Sequence, residues 1–68
     1  MRYAIVLEKM ESNYSAYVPD LPGCIETGPT VEETEASIKE AMAFHLEGMR
    51  EDHQWIPDPT SLVESVSI

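Results

Sequence analysis

The run Asp20-Leu21-Pro22-Gly23-Cys24 constrains the fold of this chain more than any other stretch. Proline fixes φ and removes a backbone donor, while glycine tolerates positive φ, so Pro22-Gly23 favours a sharp reversal and disfavours a continuous helix or central strand there. Sequence of β type precedes it. Arg2 to Met10 is rich in β-formers, Glu11-Ser12-Asn13 is a polar turn cluster, and Tyr14 to Val18 returns as a second strand ended by Pro19. Tyr3, Ile5 and Leu7 share one face of the first strand and Ala4 and Val6 the other, so that strand is expected to lie inside a sheet or to meet another subunit on its second face.

Cys24 to Thr27 supplies a short third strand, which Gly28-Pro29 breaks. Thr30 followed by Glu33 is a capping-box pattern and starts a helix at about Val31 that runs to Arg50 or Glu51. Glu32, Glu33 and Glu35 near its start and Arg50 near its end suit the helix dipole, and Glu35 and Lys39 form an i,i+4 pair. At about 100° per residue, Val31, Thr34, Ile38, Ala41, Met42, His45 and Met49 form one stripe with Leu46 at its margin, an amphipathic pattern that covers one sheet face. A helix roughly 30 Å long exceeds the strands of a small sheet, so its C-terminal part is expected to overhang.

Residues 52 to 59 read as an irregular return loop, and Leu62 to Ile68 as a last strand. With a right-handed crossover placing that strand parallel to the first, the expected fold is α+β, β-β-β-α-β, a four-stranded sheet of order 3-2-1-4 with one helix on one face. The whole chain, 1–68, is then one domain, near the size at which a single core barely suffices, and self-association into a homodimer or higher homo-oligomer is expected.

Charge narrows the partners. Four Lys+Arg against 13 Asp+Glu give a net charge of −9, which repels phosphate backbones and attracts basic surfaces, although acidity that serves only solubility is an equal reading. Direct nucleic-acid binding is not expected. Nor is a membrane span, since the apolar runs are short, and without a signal-peptide pattern the expected compartment is the cytoplasm. The single Cys24 has no second thiol for a disulfide or zinc site and reads as a small buried hydrophobe.

No catalytic, cofactor-binding or metal-binding residues are expected: the acids show no convergent spacing, and neither His45 nor His53 has partners at triad or metal-ligand spacing, His45 reading as a core-edge histidine. Two residues are candidates for partner contact. Trp55, in a Pro-bounded loop, suits an interface hot spot as well as a cap on the core. Phe44 lies about 120° off the stripe with small Ser37 and Gly48, where another chain could approach closely, against the preferred reading of a ring lying flat over the sheet edge. Asp20, Pro22, Gly23 and Cys24 form a structural motif, with a turn, an Asx contact and a buried sulfur.

Taken together, Tyr17 to Cys24, then Gly28, Thr30, Glu33, Ala36, Ile38, Glu40 and Ala41, with the opening Met-Arg-Tyr and the loop Ile56 to Ser61, resemble the N-terminal domain of HicB-like antitoxins over nearly the whole chain. Pro29 departs from the family, which commonly has an acidic residue there. The resemblance implies a partly ribonuclease-H-like fold that is not an enzyme, and an antitoxin that binds and occludes a small basic HicA-type toxin, a messenger-RNA-degrading protein. The ribbon-helix-helix or helix-turn-helix module of many family members has no counterpart in these 68 residues, so operator binding by this chain is not expected. The alternatives are an orphan homo-oligomeric interaction module of the same fold and, further off, a metal-dependent nuclease.

Overall fold

A computed structural model describes residues 2–67. Three strands, β1 (Val6–Lys9), β2 (Tyr14–Tyr17) and β3 (Ile25–Gly28), precede one helix, α1 (Val31–Glu51). The strands form an antiparallel meander of order β1-β2-β3. Its first connection closes with the Met10 amide donating to the Asn13 carbonyl at 2.8 Å.

The second connection is built from two successive turns. The Leu21 amide donates to the Val18 carbonyl and the Cys24 amide to the Leu21 carbonyl, both at 3.1 Å, so each turn carries a proline, Pro19 then Pro22, at its second position. In the second turn Gly23 follows with φ +86°, the conformation a type II turn demands of its third residue. Leu21 belongs to both turns, and its side chain points inward with only 1% of its surface exposed.

Strand alternation sends Ala16 and Val18 to the helix-covered face, where they meet Leu21, Cys24 and Ile38 to form the buried core. Tyr3, Ile5, Leu7, Ala41, Met42 and Leu46 pack around it half-buried, as their shared faces in the sequence lead one to expect. On the opposite sheet face the register aligns Val6, Tyr17 and Ile25 in one row, in which Tyr17 and Ile25 are exposed.

The helix begins where the capping pattern places it. The Thr30 hydroxyl accepts the Glu33 amide at 3.1 Å, and the buried Thr34 hydroxyl donates back to the Thr30 carbonyl at 2.6 Å. At the other end, His53 adopts φ +56° and donates to the Arg50 carbonyl, while the Gln54 amide donates to the Met49 carbonyl at 2.8 Å. That is the paired hydrogen bonding of a Schellman cap, with histidine in the position usually given to glycine.

The expected fourth strand is absent. Beyond the cap, the described residues to Ser67 carry no regular structure, so the sheet has three strands and not four in the order 3-2-1-4; Ile68 lies outside the described residues. The reason lies in the coverage of the sheet. The helix packs on β3 and β2, so a strand beside β1 would find little apolar surface above it. Leu62, Val63 and Val66 are accordingly exposed, and β-propensity without burial does not offset the entropy of ordering a strand. The first strand is also shorter than its apolar run, pairing only from Val6 to Lys9.

Although it forms no strand, the tail is fastened at two points. The Tyr3 hydroxyl donates to the Pro57 carbonyl. The Asp20 carboxylate accepts four hydrogen bonds, from the Thr60 and Ser61 amides on Oδ2 and from their two hydroxyls on Oδ1, at 2.9–3.0 Å.

Candidate functional site

Helix α1 is about 31 Å long, against about 13 Å for a four-residue strand, so it outruns the strands it covers. Because β3 leads directly into α1, the helix doubles back, and its second half lies beside the Pro22-Gly23 turn and the first residues of β3. The space between them is an open groove of about 670 Å³. Cys24 and Ile25 line its sheet side, and Ser37, Ala41, Phe44 and Gly48 its helix side.

Those helix positions are separated by four, three and four residues, the spacing of one helical face. Ser37, Ala41 and Gly48 are small, so Phe44 stands out among them with 80% of its surface exposed. The structure thus brings Phe44, Ser37 and Gly48 together on one surface, and the ring does not lie flat over the sheet edge. Glu26, Glu40 and Asp52 are the carboxylates of the groove; among the residues that line it there is no lysine or arginine. Glu26 belongs to the helix-covered sheet face because it pairs with buried Ala16. A second, smaller groove opens on the other flank of the helix, where Tyr3, Ile5, Ile38 and Met42 lie below Glu32, Glu35 and Lys39.

The turn motif separates into distinct roles. Pro22 and Gly23 shape the turn, and Cys24 is buried and unpaired, its thiol pushed above its usual pKa first by burial and then by the nearby charge of Glu26. That environment opposes the thiolate and leaves the sulfur a packing group. Asp20 does more than make a local Asx contact, since it reaches across 40 residues of sequence to hold Thr60 and Ser61. Its pKa is lowered, chiefly by the Ser61 amide, against an opposing effect of partial burial, with further lowering from the Ser61 hydroxyl and from Thr60. Trp55 lies just past the helix cap, 78% exposed, and does not cap the core.

Asp20 yields a prediction. A carboxylate whose folded pKa is depressed adds stability that is complete above its ordinary value of 3.8 and disappears as pH falls through the lower folded value. The contribution of the Asp20 charge to the tail clamp is therefore complete at neutral pH and is lost only in acid, below 3.8. Asp20→Asn removes the charge and replaces one acceptor oxygen by a donor. Amide hydrogen exchange at Thr60 and Ser61 is expected to accelerate at least about tenfold in this variant, with helix amides unchanged. Unaltered exchange at both amides would show that the carboxylate does not hold the tail.

Among the described residues, no three His, Cys, Asp or Glu side chains are grouped to hold a metal ion, and no helix is long and apolar enough to cross a membrane. The fold and its surface define a small α+β domain, a three-stranded meander under one helix, with an acid-rimmed apolar groove beside the helix. The family is defined by sequence. Residues 3–67 match the model of the HicB_like antitoxin of bacterial toxin-antitoxin system, and the chain belongs to that family.

Individual relatives match nearly the whole chain. A 14.9 kDa protein from the rep-hol intergenic region of Haemophilus phage HP1 is 39% identical over 67 residues, covering 98% of this chain and 50% of the phage protein, so the chain spans half the length of that relative. A UPF0150 protein of Synechocystis is 36% identical over 97% of this chain and 85% of its own length. Among solved structures, a chain of the HicA3 and HicB3 toxin-antitoxin complex superposes with a TM-score of 0.73 at 28% identity, over 87% of this chain and 70% of that chain.

Proposed function

We propose that this chain is an antitoxin without catalytic activity of its own, which binds a small basic HicA-type toxin and occludes the surface with which that toxin cleaves messenger RNA. The observation that carries this reading is the likeness to a chain of the HicA3 and HicB3 toxin-antitoxin complex, which extends over most of this chain. Electrostatics supports it. A net charge of −9 on 68 residues accelerates encounter with a basic protein and opposes encounter with RNA, the pairing required of a molecule that competes with RNA for a toxin.

Occlusion requires no chemistry from the antitoxin, only surface and affinity. Its effect is stoichiometric, because each bound antitoxin removes one toxin and none is regenerated. Co-expression with a small basic HicA-type toxin, sought first among the neighbouring open reading frames, is expected to restore growth that the toxin alone arrests, and the two chains should co-purify. Growth arrest that persists with both chains soluble would refute the proposal.

A further inference from the structure

The geometry points to the groove between the second half of α1 and the Cys24–Ile25 end of the sheet as the surface that receives the basic partner, with Phe44 as its central contact. This inference rests on the antitoxin reading and adds where on the molecule the partner sits. Two independent properties of the groove coincide there, its shape and its charge.

Shape comes from the small residues. Ser37, Ala41 and Gly48 leave the helix surface low around Phe44, and beyond the local helix backbone no atom lies within 4 Å of where a Cβ on Gly48 would stand. A partner backbone can approach the helix closely there and enclose a ring that is now 80% exposed. An aromatic side chain surrounded by small residues, and desolvated only on binding, is the arrangement in which interface energy concentrates.

Charge selects the occupant. Glu26, Glu40 and Asp52 edge the groove with no lysine or arginine among its lining residues, whereas Lys39 sits with Glu32 and Glu35 at the smaller groove. A second copy of this chain would bring its own charge of −9 to that rim, and a nucleic acid its phosphates, so both are repelled. A protein face carrying arginine or lysine is attracted to the rim, and an arginine guanidinium can also stack on the exposed Phe44 ring.

Isothermal titration of the full chain with a small basic HicA-type toxin tests this. Phe44→Ala puts a strong helix former at an exposed position, so the fold survives, which circular dichroism verifies. The expected result is an affinity at least about tenfold weaker than that of the unsubstituted chain. Glu40→Lys, on the groove, is expected to weaken binding several-fold more than Glu32→Lys, which makes the same charge change at the other groove. Unchanged affinity in Phe44→Ala, or equal losses in the two charge reversals, overturns the placement while leaving the antitoxin reading intact. A Phe44→Ala chain whose own mass in light scattering falls, with toxin affinity unchanged, makes the groove a contact between copies and likewise overturns it. Failure of the unsubstituted chain to bind overturns the placement together with the antitoxin reading.

Discussion

Leu21→Ala is expected to destabilise the chain by about 2–5 kcal/mol, the usual cost of truncating a fully buried leucine. A domain of 68 residues has roughly 3–10 kcal/mol of total stability, of which this one side chain accounts for a large share. The described core explains why the loss should fall near the upper end. Leu21 is, with Ile38, one of the two large hydrophobic side chains that are fully buried, alongside Ala16, Val18 and Cys24, and all four of its core neighbours are small or β-branched, poorly shaped to collapse into the space it would leave. Its backbone, moreover, belongs to both turns of the connection, so the side chain joins the double turn to the core. Urea unfolding followed by circular dichroism measures the change. A loss below about 1 kcal/mol would be inconsistent with a leucine buried at this depth.

Gly28→Ala is the second large effect, and it acts by the opposite mechanism. A Cβ at residue 28 would stand 2.6 Å from Thr34 Oγ1 and 3.1–3.2 Å from the Thr34 backbone nitrogen and Cα. The hydroxyl could rotate aside, but the backbone cannot, so the end of β3 and the first turn of α1 must move apart. Overpacking of this kind costs about 1–3 kcal/mol. If Thr34 rotates, its buried hydroxyl also loses the bond to the Thr30 carbonyl, adding about 1–3 kcal/mol for an unsatisfied polar group. Thermal unfolding should show a clear fall in Tm for Gly28→Ala. In Gly28→Ala combined with Thr34→Ala the two losses are expected to be less than additive, because the shortest contact is removed. Wild-type stability in Gly28→Ala would mean that the strand and helix do not approach as closely as described.

The features legible in the sequence are those whose causes are local. Thr30 and Glu33 locate the helix start because an N-cap acts over one turn, and the stripe from Val31 to Met49 orients the helix because its period is intrinsic to the backbone. The Pro22-Gly23 reversal is equally local, since the two residues restrict φ whatever surrounds them. Gly28 was legible only as a break after the third strand; its close approach to Thr34 depends on how the helix returns over the sheet.

What escaped the sequence is non-local. Nothing near Asp20 indicates that Thr60 and Ser61 supply its donors, because that contact joins residues 40 apart. The expected fourth strand failed for a related reason. Leu62, Val63 and Val66 have the composition of a strand, but a strand also needs a covered face, and helix placement over β3 and β2 decides which faces are covered. His53 illustrates a third limit. Its left-handed conformation closes the helix, yet without a glycine there the sequence carries no signal of a Schellman cap. Phe44 lay between these cases: its position off the apolar stripe was readable, but the preferred reading of a ring flat over the sheet edge does not fit a side chain 80% exposed.

The central claim is that this chain silences a basic RNA-cleaving protein by covering it. Titrating the purified chain into a fixed amount of a small basic HicA-type toxin, with RNA cleavage as the readout, measures this directly. Cleavage is predicted to fall linearly and to vanish at a fixed molar ratio, unaffected by added RNA once the complex has formed. Cleavage that continues undiminished in several-fold excess of the chain would contradict the account.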